Sequence, residues 1–98
     1  MRESKYQSEL KKRLEYIFDG CMVLKQDSEL HQGIPDLLIL WEDRWAALEV
    51  KASEDAPERP NQRYYVELMN DMSFAAFIYP ENEDEVLSAL QQTFGFGR

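Results

Sequence analysis

Two apolar segments separated by a short charged segment constrain the fold of this chain more than any other feature. Residues 37–41 are all apolar, and residues 45–50 are apolar except for Glu49. Glu42-Asp43-Arg44 lies between them and is typical of a turn. Segments of this length and composition predict two adjacent strands of a hairpin. Because both strands are apolar on both faces, we expect a sheet that is covered on each side.

The open end of this hairpin carries three charged side chains. Asp36 stands at the start of the first strand, while Glu49 and Lys51 stand at the end of the second. Side chains alternate between the faces of a strand, so Glu49 and Lys51 share a face, and buried charges need a partner or a metal ion. One explanation is a simple Glu49–Lys51 ion pair at a strand end. Because Asp36 is at hairpin distance, we favour two carboxylates and an ammonium group converging on one spot, the minimum chemistry for metal-assisted phosphodiester cleavage.

The rest of the chain predicts helices around this hairpin. An apolar stripe with helical spacing begins at Tyr6, and Pro60 suits the first turn of a later helix. Asn82-Glu83-Asp84-Glu85 resembles a capping box for a last helix. The predicted elements are helix 3–18, strands 21–25, 35–41 and 45–51, helix 60–71, strand 74–79 and helix 82–94. This αβββαβα order has a mixed central sheet, in a single α/β domain spanning residues 1–98.

The hairpin and the loop before it resemble a known family. Gly33-Ile34-Pro35-Asp36, followed by Glu49-Val50-Lys51, is similar to the signature of the PD-(D/E)XK nucleases. More closely, the chain resembles the small stand-alone VRR-NUC proteins common in bacteriophages, which are relatives of the archaeal Holliday-junction resolvases. The resemblance includes a glutamate-bearing first helix and a helix opened by residues 60–65. It implies a PD-(D/E)XK restriction-endonuclease-like core and a metal-dependent endodeoxyribonuclease that leaves 5′-phosphate and 3′-hydroxyl ends.

The charged end of the hairpin offers the oxygen ligands that Mg²⁺ or Mn²⁺ requires. Asp36, Glu49 and the backbone carbonyl of Val50 supply three ligands, and water or Glu3 completes the shell. Lys51 would orient or deprotonate the attacking water, or screen the phosphate.

The resemblance also implies a site role for Gln62, in the helix that follows Lys51. Its side chain would hold a metal-bound water or the scissile phosphate. The alternative is an exposed polar residue in the first turn of that helix.

The first helix offers two candidate acids, Glu3 and Glu9. On a helical wheel, Glu3 lies in the middle of the apolar stripe, whereas Glu9 points away beside solvated basic residues. A carboxylate in the middle of a buried stripe needs a partner, and the metal site supplies one. We therefore expect Glu3 in the site, the alternative being a first-turn glutamate favoured by the helix dipole.

The net charge of −8 and the pI near 4.6 are unusual for a nucleic-acid-binding protein. The charge is uneven, however: residues 1–18 carry +2, residues 19–51 carry −4 and residues 52–98 carry −6. The first helix is therefore the best phosphate-contacting surface, unless its basic run is simply a solvated face. The candidate DNA-binding residues are Lys5, Lys11, Lys12 and Arg13, with Lys25, Arg59 and Arg63 as additions.

Three functions compete at this point. The first is a structure-selective endonuclease for branched DNA such as Holliday junctions, acting as a homodimer whose two-fold symmetry matches the junction. Apolar residues after Tyr64 would supply a patch for the second subunit. The second function is the same chemistry on nicked, flapped or duplex DNA. The third, a fold used only for DNA binding, is disfavoured because Asp36, Glu49 and Lys51 are all present.

The chain also predicts where the protein works. No stretch approaches the roughly 18 apolar residues of a membrane-spanning helix, and no signal peptide is visible. We therefore expect a cytoplasmic protein without a membrane partner, in the host cytoplasm if a phage encodes it.

Overall fold

The computed structural model describes residues 1–95 of the chain. The elements in these residues are α1 (Glu3–Ile17), β1 (Met22–Lys25), β2 (Leu37–Trp41), β3 (Arg44–Val50), α2 (Gln62–Met72), β4 (Ala75–Ile78), a 3₁₀ turn (Pro80–Asn82) and α3 (Glu83–Thr93). The predicted αβββαβα order is confirmed. The predicted single domain ran to residue 98, and residues 96–98 lie outside the described residues.

The strands form one mixed sheet in the order β1-β2-β3-β4. The pairs β1–β2 and β2–β3 are antiparallel, while β3–β4 is parallel. The turn between β2 and β3 is shorter than predicted, because Arg44 already pairs with Trp41. Glu42 adopts a left-handed conformation with φ of 57°, which allows the chain to reverse within two residues.

Helices cover both faces of the sheet, as the apolar strands predicted. Ala46, Leu48 and Val50 of β3 contribute to a large core with the buried faces of α1 and α3. The intervening Ala47 belongs to a smaller cluster with Val66 of α2. Since successive side chains of a strand point to opposite faces, α1 and α3 lie on one face and α2 on the other. Glu49 therefore points to the α2 face.

The sheet opens into a fork beyond the Leu37–Leu48 pair. The predicted strand began at residue 35, but β2 begins at Leu37. The carboxylate of Asp36 accepts a 2.8 Å hydrogen bond from the Val50 N–H, where a backbone carbonyl would serve in a regular ladder. Meanwhile β3 continues beside β4, with Val50 opposite Ile78. The fork thus carries Asp36 on one branch and Glu49 on the other.

The start of α3 differs from the predicted capping box. Asn82 makes no side-chain capping bond to α3. Its side-chain oxygen instead accepts a 2.8 Å hydrogen bond from the Tyr79 N–H, and its amide donates to the Phe77 carbonyl at 3.0 Å. The asparagine therefore stabilises the turn after β4, because Pro80 inserts a 3₁₀ turn before the helix. In residues 1–95, no helix has the length and apolar character needed to cross a membrane.

Candidate active site

A polar cavity of about 350 Å³ lies at the fork between β2 and β3. It brings together the residues that the sequence predicted for the catalytic centre. These are Glu3, Asp36, Glu49, Lys51 and Gln62, and the cavity is completed by Ser28, Gln32, Gly33, Ile34, Arg59 and Pro60. These five side chains line one cavity, and their catalytic roles stay predictions.

Asp36 and Glu49 form a close pair of carboxyl groups in this cavity. Only 2% of the Glu49 surface is exposed. Burial raises the pKa of Glu49 to about 9, with further contributions from a hydrogen bond and the charge of Asp36, while the charge of Lys51 acts in the opposite direction. Among the buried side-chain atoms of residues 1–95, Oε1 of Glu49 has no hydrogen-bond partner. A buried oxygen of this kind is suited to a ligand that brings positive charge.

Gln62 joins Lys51 to Glu49. Its side-chain oxygen accepts hydrogen bonds from Lys51 Nζ at 2.7 Å and from the Arg59 N–H at 2.7 Å. Its amide nitrogen donates to Glu49 Oε2 at 3.2 Å. Lys51 also donates to the Pro57 carbonyl at 3.1 Å.

These contacts change two expectations about Lys51 and Gln62. In residues 1–95, no ion pair joins Glu49 directly to Lys51, because the Gln62 amide lies between them. Gln62 is buried rather than an exposed first-turn residue. The Gln62 amide thus connects Lys51 to Glu49. A side-chain amide has two N–H donors, of which one bonds to Glu49, so the role of Gln62 in holding a metal-bound water or the phosphate stays a prediction.

A close backbone contact holds the loop before Asp36 against the residues that precede α2. Gly33 is buried, with φ of 90°, and a Cβ atom there would lie 2.6 Å from the Asn61 Cβ and 2.9 Å from the Pro60 carbonyl oxygen. Only glycine fits both the conformation and the space. The loop before Asp36 is thus packed against the residues before α2, which explains how Asp36 and Gln62 reach the same cavity.

Glu3 lies at the rim of the cavity. The prediction of a buried stripe position was wrong: Glu3 is exposed, and the buried stripe of α1 consists of Tyr6, Leu10 and Leu14. Glu3 nevertheless lines the cavity, and its charge contributes to the raised pKa of Glu49. Glu9 is half-buried rather than solvated, and it is not part of the cavity lining.

The donor set fits a hard divalent cation such as Mg²⁺ or Mn²⁺. In residues 1–95, no group of three or more His, Cys, Asp or Glu side chains is close enough to hold a metal ion, so Glu3 is not gathered with the other two acids. Asp36 and Glu49 provide two carboxylates, one with an unpartnered buried oxygen. Mg²⁺ is commonly held by one or two carboxylates and several waters. The N–H of Val50 is bonded to Asp36, and its carbonyl remains a predicted ligand.

Two of the predicted DNA-binding arginines are engaged in ion pairs. Arg13 donates two hydrogen bonds to Glu83, at 2.7 and 2.8 Å, and Glu83 also accepts a 2.8 Å hydrogen bond from the Tyr6 hydroxyl. Arg13 therefore joins α1 to α3, and its contact with DNA stays a prediction. Arg63 is paired with Glu58, and its guanidinium lies 5.0 Å from the centroid of the Phe77 ring.

The remaining predicted cations are exposed. Lys5, Lys11 and Lys12 are exposed on α1, and Lys25 is exposed at the end of β1. Arg59 is exposed and lines the catalytic cavity itself. These five side chains remain candidates for contacts with phosphate.

Comparisons with solved structures identify the fold. One structure, described as "VRR_NUC domain", superposes with a TM-score of 0.70 and 26% sequence identity, covering 88% of this chain and 94% of that one. This likeness supports assignment of the chain to the VRR-NUC family. A second structure, described as "VRR_NUC domain protein", has the same fold, with a TM-score of 0.69 and 19% identity over 99% of this chain and 91% of that one. No family model and no curated protein matches the sequence.

The likeness to a VRR-NUC domain suggests a nuclease of the PD-(D/E)XK type. Sequence reasoning missed two parts of this VRR-NUC site, namely the Pro57 carbonyl and the Arg59 N–H that hold Lys51 and Gln62. Both are backbone groups of the loop at residues 52–59, so their side chains gave no signal. Pro57 and Pro60, which restrict the loop, were the available indication.

Proposed function

We propose that this VRR-NUC protein is a divalent-metal-dependent endonuclease that hydrolyses phosphodiester bonds in DNA. The observation that carries the proposal is the close pair of Asp36 and the buried Glu49, in which Oε1 of Glu49 has no hydrogen-bond partner among residues 1–95. Two carboxylates that share one buried site repel each other when both are ionised. A bound cation would relieve that repulsion, and the substrate phosphate would enter the same cavity.

Asp36, Glu49 and the Val50 carbonyl would hold Mg²⁺ or Mn²⁺, with Glu3 or water completing the shell. When bound, the ion would lower the pKa of water and stabilise charge on the phosphate. Asp36 is kept in place by the Val50 N–H, and Glu49 by the Gln62 amide. Both carboxylates are therefore preorganised before any ligand binds.

Lys51 would orient the attacking water or screen the phosphate. Its ammonium has three N–H donors, of which two bond to Gln62 and the Pro57 carbonyl. The third is available for a water molecule or a phosphate oxygen. Gln62 and Pro57 thereby hold the ammonium group in the cavity, as phosphate screening requires.

Branched DNA, such as a Holliday junction, is the substrate that we propose, cut by a homodimer at paired positions. An exposed apolar stripe on α2 supports a second subunit. Tyr64, Leu68 and Met72 are spaced by one helical turn, with exposed fractions of 62%, 36% and 66%, and such a stripe is typical of an interaction surface. A two-fold dimer would present two cavities to the two symmetric strands of a junction.

The test is cleavage of a panel of DNAs comprising a four-way junction, a flap, a nicked duplex and an intact duplex. We expect cleavage with Mg²⁺ or Mn²⁺, none with EDTA, and a preference for the junction. A preference for flap, nick or duplex would support the alternative substrate class with the same chemistry. Binding without cleavage under all metal conditions would contradict the nuclease proposal. Sedimentation equilibrium should give about twice the 11.6 kDa chain mass.

A further inference from the structure

Another cavity, of about 270 Å³, runs along α1 beside β1. Its walls are formed by Ser4, Gln7, Ser8 and Lys11 of α1 and by Lys25 of β1, over an apolar floor that includes Leu37. Ser4, Ser8 and Lys11 lie on one face of the helix, since residues four and three positions apart are neighbours there. We call this cavity the α1–β1 groove.

The α1–β1 groove differs from the rest of the protein in charge. Its lining contains Lys11 and Lys25 and no Asp or Glu side chain, in a chain whose net charge is −8. The catalytic cavity, by contrast, is lined by three acidic residues. Positive charge without acidic neighbours, accompanied by hydroxyl and amide donors, suits a phosphodiester oxygen.

Two residues of the groove neighbour residues of the catalytic cavity in the chain. Ser4 follows Glu3, and Leu37 follows Asp36. From Ser4 to Lys11 the helix rises about 10 Å. One strand of duplex DNA carries a phosphate every ~3.4 Å of its axis, so the groove spans roughly three phosphates.

We propose that the α1–β1 groove binds the phosphodiester backbone beside the scissile phosphate, with Lys11 and Lys25 on opposite walls. The inference rests on the proposed function, because it assumes a DNA strand in the catalytic cavity. Binding in the groove would also explain how a protein with a net charge of −8 binds negatively charged DNA. The strand would leave the metal site along a path without acidic side chains, and the negative regions of the chain would lie elsewhere.

Fluorescence anisotropy with a labelled four-way junction tests the proposal. Binding is measured over a NaCl series at constant low Mg²⁺, in an Asp36→Asn background that prevents cleavage. Lys11→Gln and Lys25→Gln should each reduce the slope of log K against log[NaCl] by about 0.9, the value for one lost phosphate contact. Arg44→Gln is the matched control, because it removes one charge at the turn end of the hairpin, where Arg44 pairs with Glu42.

An uncharged linkage in the DNA backbone tests where the two lysines make their contact. A methylphosphonate placed within three phosphates of the cut position should weaken binding by the parent protein. It should have no further effect on the Lys11→Gln, Lys25→Gln double variant. Equal weakening of the parent and the double variant at every position would overturn the groove assignment.

The outcomes separate this proposal from the nuclease proposal. Unchanged slopes in both lysine variants, with DNA cleavage by the wild type, would overturn the groove alone. If the lysine variants have reduced salt slopes but the wild type does not cleave DNA, the groove proposal is retained and the nuclease proposal is contradicted. Absence of DNA binding by the Asp36→Asn protein, together with absence of cleavage by the wild type, would overturn both.

Discussion

The side-chain oxygen of Gln62 accepts a 2.7 Å hydrogen bond from the ammonium group of Lys51. The same amide donates to Glu49, so one neutral side chain fixes a cation and an acid that are otherwise not paired. Networks of this kind are strong in a buried site when every member is satisfied. The unpartnered Oε1 of Glu49 is the exception, and this is where a cation would complete the network.

Gln62→Ala should reduce kcat by about 10- to 100-fold, the range found when supporting groups of metal sites are removed. The KM for DNA should change little, because Gln62 contacts protein groups rather than substrate. Steady-state cleavage kinetics measure both values. Gln92→Ala, an exposed glutamine of α3, is the control. A rise in KM with unchanged kcat would show that Gln62 contacts DNA directly.

Glu3→Gln should lower activity and raise the Mg²⁺ concentration required for half-maximal cleavage. Glu3 lines the catalytic cavity, so its loss removes negative charge at the metal site. Glu9→Gln should be nearly neutral for activity, since Glu9 is absent from the cavity lining. Metal titrations of the two variants test the ranking, and a reversed ranking would exclude Glu3 from the site.

The sequence was sufficient for the element order and for the convergence of Asp36, Glu49 and Lys51, because strand alternation and hairpin geometry depend on local spacing. The sequence was not sufficient to predict the exposure of Glu3. A helical wheel gives the direction of a side chain around the helix axis, but it does not show whether the end of the helix lies over the sheet. The Arg13–Glu83 contact joins residues 70 positions apart. Such a pairing depends on how α1 and α3 pack together, which their separate sequences do not contain.

The metal-free protein should lose stability as pH rises. Glu49 has a pKa raised from 4.5 to about 9 in the folded protein, so between these values the folded state holds a proton that the unfolded state has released. The free energy of unfolding therefore falls with pH, by at most about 1.4 kcal/mol per unit for one proton. Between pH 6 and 8 we expect the wild type to lose about 1–2 kcal/mol more than Glu49→Gln.

Urea denaturation in EDTA at the two pH values measures this difference. Saturating Mg²⁺ should reduce the loss, because the cation favours the ionised carboxylate. Parallel pH profiles for the wild type and Glu49→Gln in EDTA would show that Glu49 does not retain a proton in the folded state.

The Arg13–Glu83 pair should contribute to stability rather than to DNA binding. Both Arg13→Gln and Glu83→Gln should lower the free energy of unfolding by about 1 kcal/mol, the usual value for a partly exposed charged hydrogen bond. A double-mutant cycle should show that the two effects are coupled. DNA affinity of Arg13→Gln should be close to wild type. A clear loss of affinity with unchanged stability would show that Arg13 contacts DNA rather than stabilising the fold.

The central claim is that Asp36, Glu49 and Lys51 form one metal-dependent hydrolytic site. The most direct measurement is the rate of DNA cleavage in Mg²⁺ by wild type and Glu49→Ala, with circular dichroism to establish that both are folded. Glu49→Ala should lose more than about 100-fold in rate, as the wild type should in EDTA. Cleavage by folded Glu49→Ala at the wild-type rate would contradict it.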